Sequence, residues 1–260
     1  MIFSKTRPVK IVMIGAGGTG GHIAPHLYRL LRALDRPVRF IVCDGDTVEE
    51  KNLVRQNFTK ADLGENKAKV TAERYSNAFG LETSYVPSFI EDAGTLTGLI
   101  RPVCWHNIQT AEDGTVTRDT VSELVILIGA VDNNRSRQLC HEVFMAAEDL
   151  IYIDSGNGEY TGQVVCGVRQ NGRTVSPPVG LRYPDMFQTD DPFPSEVSCA
   201  EASVSAPQTI AANLMAATAV VAMVYNILVL GASNAEHSTF STRSVNIRTS
   251  QKNEESGETA

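Results

Sequence analysis

The chain has 260 residues, of which 42% are hydrophobic and 20% are charged, so it is long enough and apolar enough to bury a substantial core. Its formal net charge of −7 argues against general nucleic-acid binding, which needs a cationic surface. Its five cysteines form no CxxC pair. That pattern fits a reducing cytoplasm and predicts neither a disulfide framework nor a zinc site.

The first elements predict a βαβ unit with parallel strands. Residues 10–14 form an apolar strand pattern that stops at glycines, and residues 22–34 carry leucines at helical spacing. Residues 38–43 form a second apolar strand that ends at Asp44. The order strand, glycine turn, helix, strand is typical of a nucleotide-binding half-domain.

Further along, the pattern predicts a helix over 67–79, a strand over 83–86, a strand over 124–128, a helix over 135–148 and a strand over 150–153. Asn171-Gly172 predicts a hairpin between residues 162 and 175. A surface loop (177–194), a buried helix (214–230), a last strand (239–248) and a disordered tail (251–260) complete the prediction. The apolar helix falls short of roughly 20 uninterrupted apolar residues, so we expect no membrane span.

Together these elements predict an α/β fold, a doubly wound, Rossmann-like and mostly parallel sheet continued by antiparallel strands. We expect one domain over residues 1–250, with a nucleotide-binding half (1–155) and a second part (156–250) that contains antiparallel strands, a crossover loop and the buried helix.

The glycine turn predicts a bound nucleotide. Gly15, Gly17 and Gly20 fit GxGxxG between a strand and a helix, with Gly18 inside the turn. Such a turn lets phosphate approach the backbone at a helix N-terminus. Asp44 follows the second strand and can accept hydrogen bonds from ribose hydroxyls. The turn alone does not distinguish NAD from ATP.

Polar residues beyond the second strand favour ATP. Asn52, Arg55 and Gln56 follow that strand, and Lys67 begins the next helix. An arginine can hold phosphate through two bonds and a lysine supplies a compact charge. A dehydrogenase needs no such cluster. Asp46 belongs to the same candidate set.

Asp132 is the candidate magnesium ligand. It follows the strand over 124–128, and Mg²⁺ is held in such sites by one or two carboxylates and phosphate oxygens. The adjacent Asn133 is a second candidate nucleotide contact, although either residue could instead cap the following helix.

The motifs GAGGTGG, DGDTVEEKNLVRQ, LGENKAKV and AVDNNRSR resemble the ThiF/MoeB family, whose fold is shared with ubiquitin-activating enzymes. The segment Ser198-Cys199-Ala200-Glu201-Ala202 resembles the family's TCxEAG segment. The resemblance covers roughly residues 9–230. The sequence of the first motifs is most similar to that of ThiF-related proteins of bacterial plasmid cassettes (PRTRC systems).

This resemblance implies ATP- and Mg²⁺-dependent adenylation of the C-terminal glycine of a ubiquitin-like protein by a cytoplasmic homodimer. It assigns catalysis to Arg55, Lys67, Asp132 and Cys199. In some family members the cysteine attacks the adenylate, and in others it is dispensable, so both roles of Cys199 stay open. Three other functions also stay open: adenylation of a small molecule or a modified tRNA base, an NAD-dependent oxidoreductase, and a non-catalytic nucleotide-binding scaffold.

The sequence departs from the family pattern in two places. The paired CxxC zinc motifs are absent between residues 170 and 183, so we predict no zinc. Relatives supply an arginine to the partner's ATP site from a longer N-terminal helix, whereas only 14 residues precede Gly15 here. Arg7 lies too close to the first strand to be matched to that arginine. The residue that supplies the positive charge to the partner's ATP site therefore stays unassigned. Residues 102–119 are predicted to form a loop-like insertion.

Overall fold

The computed structural model describes residues 1–110, 116–196 and 208–251. The elements of its first half are β1 (Val9–Ile14), α1 (Gly18–Arg32), β2 (Val38–Cys43), α2 (Lys67–Phe79), β3 (Ser84–Val86), α3 (Ala93–Ile100), β4 (Cys104–Thr110), β5 (Val116–Ser122), β6 (Leu124–Gly129), α4 (Asn134–Ala146) and β7 (Leu150–Asn157). Strands and helices alternate in this half as the sequence predicts, except that β4 and β5 come between α3 and β6. The second half contains β8 (Thr161–Gln170), β9 (Arg173–Ser176), α5 (Val179–Arg182), α6 (Ile210–Tyr225), β10 (Ala235–Ser241) and β11 (Asn246–Gln251).

Nine strands form one sheet in the order β11-β10-β8-β7-β6-β1-β2-β3, with β9 paired to β8. The strands β1, β2, β3, β6 and β7 run parallel. Antiparallel pairs continue the sheet from β7 outward. This arrangement confirms the predicted α/β fold with a mostly parallel sheet continued by antiparallel strands.

Both faces of the parallel strands are covered by helices. The helices α1, α2 and α6 pack on one face around Leu27 and Val220, and α3 and α4 pack on the other around Leu96 and Phe144. Every residue of β1 and β6 is buried. This double burial explains why these strands are uninterrupted apolar runs in the sequence.

A proline inside α1 ties the helix to the segment after β2. Pro25 cannot donate the bond that Gly21 O would receive in a regular helix. Asn57 Nδ2 donates to that carbonyl instead, at 2.8 Å. The substitute bond anchors the segment that carries Arg55 and Gln56 against the first turns of α1.

Residues 102–119 do not form the predicted loop. They contain β4 and most of β5, which pair as a separate two-stranded sheet. The strands lie at the amino-terminal edge of the main sheet, because they connect the end of α3 with the start of β6. Their side chains are largely polar, so the segment lacks the apolar alternation that identifies a strand.

The prediction of one strand over 239–248 was also wrong. Two strands, β10 and β11, pair there across a turn in which Val245 has φ of +50°. The predicted loop over 177–194 contains α5 and a 3-10 turn, Pro184–Gln188. Val179 and Met186 are buried in the α3–α4 core cluster, so two apolar anchors hold this segment down.

The apolar helix begins at Ile210, four residues earlier than predicted, because Thr209 Oγ1 accepts a bond from Ala212 N. It continues through a π-helical turn, Asn226–Leu230, and ends at Gly231 with φ of +69°. By length and composition alone the stretch could cross a membrane, but half of it is buried in the fold. The predicted tail lies outside the described residues, apart from Gln251, which ends β11.

Candidate functional site

The candidate site lies at the topological switch point of the sheet, where the chain leaves β1 toward one side and β6 toward the other. Two adjoining compartments open there. The polar compartment is lined by Gly17, Gly18, Thr19, Asp44, Asp46, Arg55, Gln56, Lys67, Ala130, Val131, Asp132, Asn157 and Gln208. The apolar compartment is lined by Ile14, Gly15, Cys43, Asp44, Asp46, Ser88, Phe89, Ile90, Val131, Asp132, Asn133, Ser136 and Pro194.

Two glycines are required by the turn between β1 and α1. Gly15 has φ of +97°, and a Cβ atom there would collide with the carbonyl group of Ala130. A Cβ atom at Gly20 would collide with the Gly15 carbonyl group. Gly15 therefore packs directly on the chain that leaves β6, and Gly20 allows α1 to approach the turn. Gly20 itself lines neither compartment.

The start of α1 presents unbonded amides to the polar compartment. The backbone N–H groups of residues 17–20 find no acceptor among the described residues. Gly17 is the N-cap and offers no side chain to satisfy them. Such amides, reinforced by the helix dipole, form an anion site when a ligand faces them.

Asp44 lies on the border between the two compartments. Its Oδ2 accepts a bond from Ala16 N at 2.7 Å, and its Oδ1 accepts one from Asp46 N at 2.9 Å. Burial raises the pKa of Asp44 to about 6, against the opposing effect of the Lys67 charge. A carboxylate has further lone pairs, so Asp44 can still accept from a ligand hydroxyl.

Lys67 enters the polar compartment from the start of α2. Its Nζ donates to Asp46 Oδ2 at 2.7 Å, and its side chain is almost completely buried. Asn66 caps α2 by accepting from Lys69 N, and its Nδ2 donates to the carbonyl groups of Asp44 and Asp46. These bonds fix the start of α2 to the loop after β2, which places Lys67 beside Asp44.

Arg55 and Gln56 line the same compartment, but Asn52 does not. Asn52 is buried, and its Oδ1 accepts from Glu49 N at 2.9 Å, closing the short helical turn before Arg55. This bond uses the side-chain oxygen and not the NH₂ group, so the role of Asn52 as an uncharged donor to phosphate stays a prediction. Arg55 Nη1 donates to Gln208 Oε1 at 3.1 Å.

Asp132 and Asn133 divide the roles that the sequence left open between them. Asn133 Oδ1 accepts from Ser136 N at 2.8 Å and so caps α4. Asp132 is exposed, lines both compartments and accepts no hydrogen bond from a described residue. Arg137 Nη2 donates to Val131 O at 2.6 Å, which holds the loop before α4 in place.

Among the described residues, no group of three or more acidic, histidine or cysteine side chains could hold a metal ion without further ligands. Asp132 would therefore hold magnesium together with other oxygens, such as those of water or of a bound phosphate. This is compatible with Mg²⁺, which commonly binds through one or two carboxylates and substrate phosphates.

The apolar compartment has the character of a pocket for a flat ring. Phe89 packs against Gly45 so closely that a Cβ atom there would collide with the phenyl ring. Cys43 is buried beneath it, and burial raises the pKa of its thiol to about 12, so it stays protonated at neutral pH. Pro194 also lines this compartment.

Four polar residues in or beside the polar compartment were missed from the sequence: Thr19, Asn157, Gln208 and Asn213. Thr19 Oγ1 donates to Asn157 Oδ1 at 2.9 Å, and Asn213 Nδ2 donates to Thr19 and to Gln208. One signal was available, since Asn213 is the only carboxamide in the largely apolar helix α6.

Two predicted features lie elsewhere. Arg7 donates to the carbonyl groups of Ser122 and Glu123 at the amino-terminal edge of the sheet, opposite the compartments, so it supplies no charge to the site of its own chain. Cys199, with the rest of its segment, lies outside the described residues.

A family model described as "ThiF family" matches residues 3–258. No curated protein matches the sequence significantly. The structure of E. coli MccB with ATP aligns with a TM-score of 0.61 and 18% identity over 95% of this chain and 64% of that chain. The structure of the microcin C7 biosynthetic enzyme MccB in complex with N-formylated MccA aligns with a TM-score of 0.64 and 17% identity, over 95% of this chain and 65% of that chain.

PaaA aligns with a TM-score of 0.60 and 17% identity, over 94% of this chain and 64% of that chain. The chain thus spans just under two thirds of the length of these structures. At this level of identity, the likeness shows a common fold.

Proposed function

This chain belongs to the ThiF family, and we propose that it uses ATP to adenylate the C-terminal carboxylate of a small ubiquitin-like protein that ends in glycine. One observation carries the proposal. In the polar compartment, the cations of Arg55 and Lys67 and the carboxylate of Asp132 line the same space as the unbonded amides of α1. Binding of a dinucleotide for hydride transfer does not require this combination, whereas cleavage of a triphosphate does.

The two compartments suit the two ends of ATP. The adenine ring would enter the apolar compartment between Phe89 and Val131, where its faces meet apolar side chains. The ribose would reach Asp44 on the border, and the phosphates would extend over the amides of α1 toward Arg55 and Lys67. The E. coli MccB structure with ATP supports ATP as a ligand of this fold.

The reaction needs no nucleophile from the protein. An oxygen of the substrate carboxylate attacks the α-phosphorus, and the bond from that phosphorus to the oxygen that bridges to the β-phosphate breaks. Pyrophosphate leaves with the bonding electron pair, and an acyl-adenylate forms. Arg55, Lys67 and the amides of α1 would stabilise the negative charge that builds up on the phosphates, because they are already oriented toward the compartment.

Magnesium would bind between the carboxylate of Asp132 and the phosphate oxygens. The exposure of that carboxylate fits this role, and no residue that the structure describes donates a hydrogen bond to it. When bound, the ion would neutralise phosphate charge.

Cys199 is the proposed acceptor in a second step. Its thiolate would attack the carbonyl carbon of the adenylate, and AMP would leave as a thioester forms. Support for this step comes only from the resemblance of the segment around Cys199 to the family motif.

We also propose that two copies of the chain associate through the outer face of α6. Ile210, Leu214, Tyr225 and Leu230 are between 43% and 52% exposed along this helix and its π-helical turn. No charged residue occurs from Ile210 to Leu230. An uncharged stripe of this length is unusual on an exposed surface and fits a self-complementary interface.

Pyrophosphate exchange tests the function directly. Purified protein is incubated with ATP, Mg²⁺ and labelled pyrophosphate, with and without a small ubiquitin-like protein that ends in Gly-Gly. We expect label to enter ATP only when the small protein is present and its final glycine is intact. Exchange that is equally fast with and without the small protein would overturn the proposal. Tight binding of NAD with no binding of ATP would also overturn it.

A further inference from the structure

Asn213 is a buried polar residue in an apolar helix. It is the only carboxamide in α6, and its side chain is completely shielded from solvent. Among the described residues, its Oδ1 finds no hydrogen-bond partner. An apolar residue of the same shape would avoid the cost of burying this unpaired oxygen. The presence of asparagine therefore calls for a role that packing does not explain.

The hydrogen bonds of Asn213 join two segments that are far apart in the chain. Its Nδ2 donates to Thr19 Oγ1 at 3.1 Å and to Gln208 Oε1 at 3.2 Å. Thr19 belongs to the glycine turn, whereas Gln208 precedes α6. The same Gln208 oxygen accepts from Arg55 Nη1 at 3.1 Å. A continuous path of hydrogen bonds thus connects the core of α6 to the guanidinium of Arg55.

The orientation of each group in this path is determined by Arg55. A guanidinium can only donate, so Gln208 must present its oxygen to Arg55. That oxygen can then only accept from Asn213, which must present its NH₂ group. Asn213 Oδ1 and Arg55 Nη1 both occupy the space where a Cβ atom of Gly18 would lie. The path therefore packs directly against the glycine turn.

Gln208, which accepts from Arg55, and Asn213, which donates to Gln208, are both neutral. No carboxylate of the described residues lies within ion-pair distance of the Arg55 guanidinium. Lys67 differs, because it is paired with Asp46. A carboxamide can orient a cation without cancelling its field, so the charge of Arg55 stays available to an anionic ligand.

We propose that Asn213 and Gln208 form a neutral carboxamide relay that orients Arg55 toward bound phosphate, with Asn213 as a positioning residue. This inference deepens the proposed function and rests on it for the identity of the phosphate ligand. The relay also accounts for the buried asparagine. Its side chain stabilises the contact between Gln208 and Arg55, although an apolar residue would pack better in the core.

A double-mutant cycle tests the relay. The variants are Asn213→Leu, Arg55→Ala and the combination, and the probes are ATP and inorganic pyrophosphate, measured by calorimetry. We expect Asn213→Leu to weaken both probes about tenfold when Arg55 is present, as for a misaligned charge-assisted contact. In the Arg55→Ala background the same substitution should change affinity by less than about twofold. Melting temperature should stay equal or rise.

Two further variants make the result unambiguous. Gln208→Met removes the shared acceptor at a half-buried position and should reproduce the loss, with the same dependence on Arg55, even if Asn213→Leu fails to fold. Thr218→Val, a polar-to-apolar change on the outer face of α6, is the control and should change neither probe.

Equal losses in both Arg55 backgrounds, or no loss, would overturn the relay while leaving the proposed function intact. Binding of pyrophosphate without ATP would overturn the proposed function, and the cycle would still test the relay. Wild-type protein that binds neither probe would overturn both.

Discussion

Asp132 and Asn133 are neighbours in the chain with different structural environments. Asn133 accepts the amide of Ser136 and caps α4, whereas the carboxylate of Asp132 is exposed and lines both compartments. Loss of a cap weakens a helix, because its first amides lose an acceptor. Loss of an exposed carboxylate affects the fold little but removes a ligand from the site. Substitution of each residue can therefore distinguish the role of Asp132 in the site from the role of Asn133 in the helix.

We expect Asp132→Ala to abolish pyrophosphate exchange and to change the free energy of unfolding by less than about 0.5 kcal/mol. Asn133→Ala should instead lower the free energy of unfolding by about 1 kcal/mol and retain exchange. Urea unfolding and the exchange assay, run on both variants, check the two expectations. The opposite pattern, with exchange lost only in Asn133→Ala, would show that the capping residue is the functional one.

Asp44 gives the site a pH dependence. Burial raises its pKa to about 6, so the carboxylate gains a proton as the pH falls through 6. The protonated acid loses accepting capacity, and two of its accepting positions already serve Ala16 and Asp46. Contacts to ribose hydroxyls should therefore weaken on the acidic side.

Adenosine is the suitable probe, since it carries no phosphate that titrates in this range. Its affinity should fall about tenfold between pH 7.5 and pH 5, where about one tenth of a group with a pKa of 6 is ionised. In Asp44→Asn the affinity should be lower and independent of pH. Binding of 2′,3′-dideoxyadenosine should also be independent of pH; a parallel fall for this ligand would place the titrating group away from the ribose.

Among the elements, the turn between β1 and α1 has the strictest steric demands. A Cβ atom at Gly20 would collide with a backbone carbonyl group, which cannot move aside as a flexible side chain could. By contrast, Gly98 lies inside α3, and a Cβ atom there would have nothing within 4 Å. The two glycines therefore provide a matched pair for substitution.

Gly20→Ala should lower the free energy of unfolding by about 1–3 kcal/mol, the usual cost of overpacking, and reduce ATP affinity. Gly98→Ala should raise the free energy of unfolding by up to about 1 kcal/mol, because alanine favours the helix. Urea denaturation of both variants measures the difference. If both substitutions changed the free energy of unfolding equally, the turn between β1 and α1 would be able to accommodate a Cβ atom at residue 20 without a steric cost.

The sequence predicted the elements that carry a strong apolar pattern. The strand over 38–43 and the helix over 67–79 have the predicted bounds, because both faces of β2 meet the core and Gly80 ends α2 in the left-handed region. The polar strands β4, β5 and β11 were missed. Their pairing depends on backbone hydrogen bonds, which leave little trace in the side-chain pattern.

The site shows the same division. Arg55, Lys67 and Asp132 follow strands or begin helices in recognisable motifs, so the sequence brings them to one edge of the sheet. Asn213 and Thr19 are 194 residues apart, and only the packing of α6 against α1 makes them neighbours. The motif also does not reveal that the side-chain oxygen of Asn52 accepts from Glu49 N in a local turn.

On the scale of the whole molecule, the outer face of α6 is the feature that the single chain leaves unexplained. The helix and its π-helical turn are apolar enough to cross a membrane, yet half of this stretch is packed against the sheet and α1. A membrane span would have to give up that packing. Association of two copies would cover the exposed half and keep the buried half in place, which favours the proposed dimer over a membrane span.

Leu214→Glu combined with Tyr225→Glu should therefore convert a dimer into a folded monomer. The two side chains are each 43% exposed, so the charges disturb the outer stripe and leave the core intact. Sedimentation velocity at about 10 μM, where an interface of standard size stays assembled, measures the change. Leu181→Glu, at a 55% exposed position outside α6, is the control and should stay dimeric. A wild-type monomer that binds lipid vesicles would instead assign the stripe to a membrane surface, because the same apolar face would then be covered by lipid.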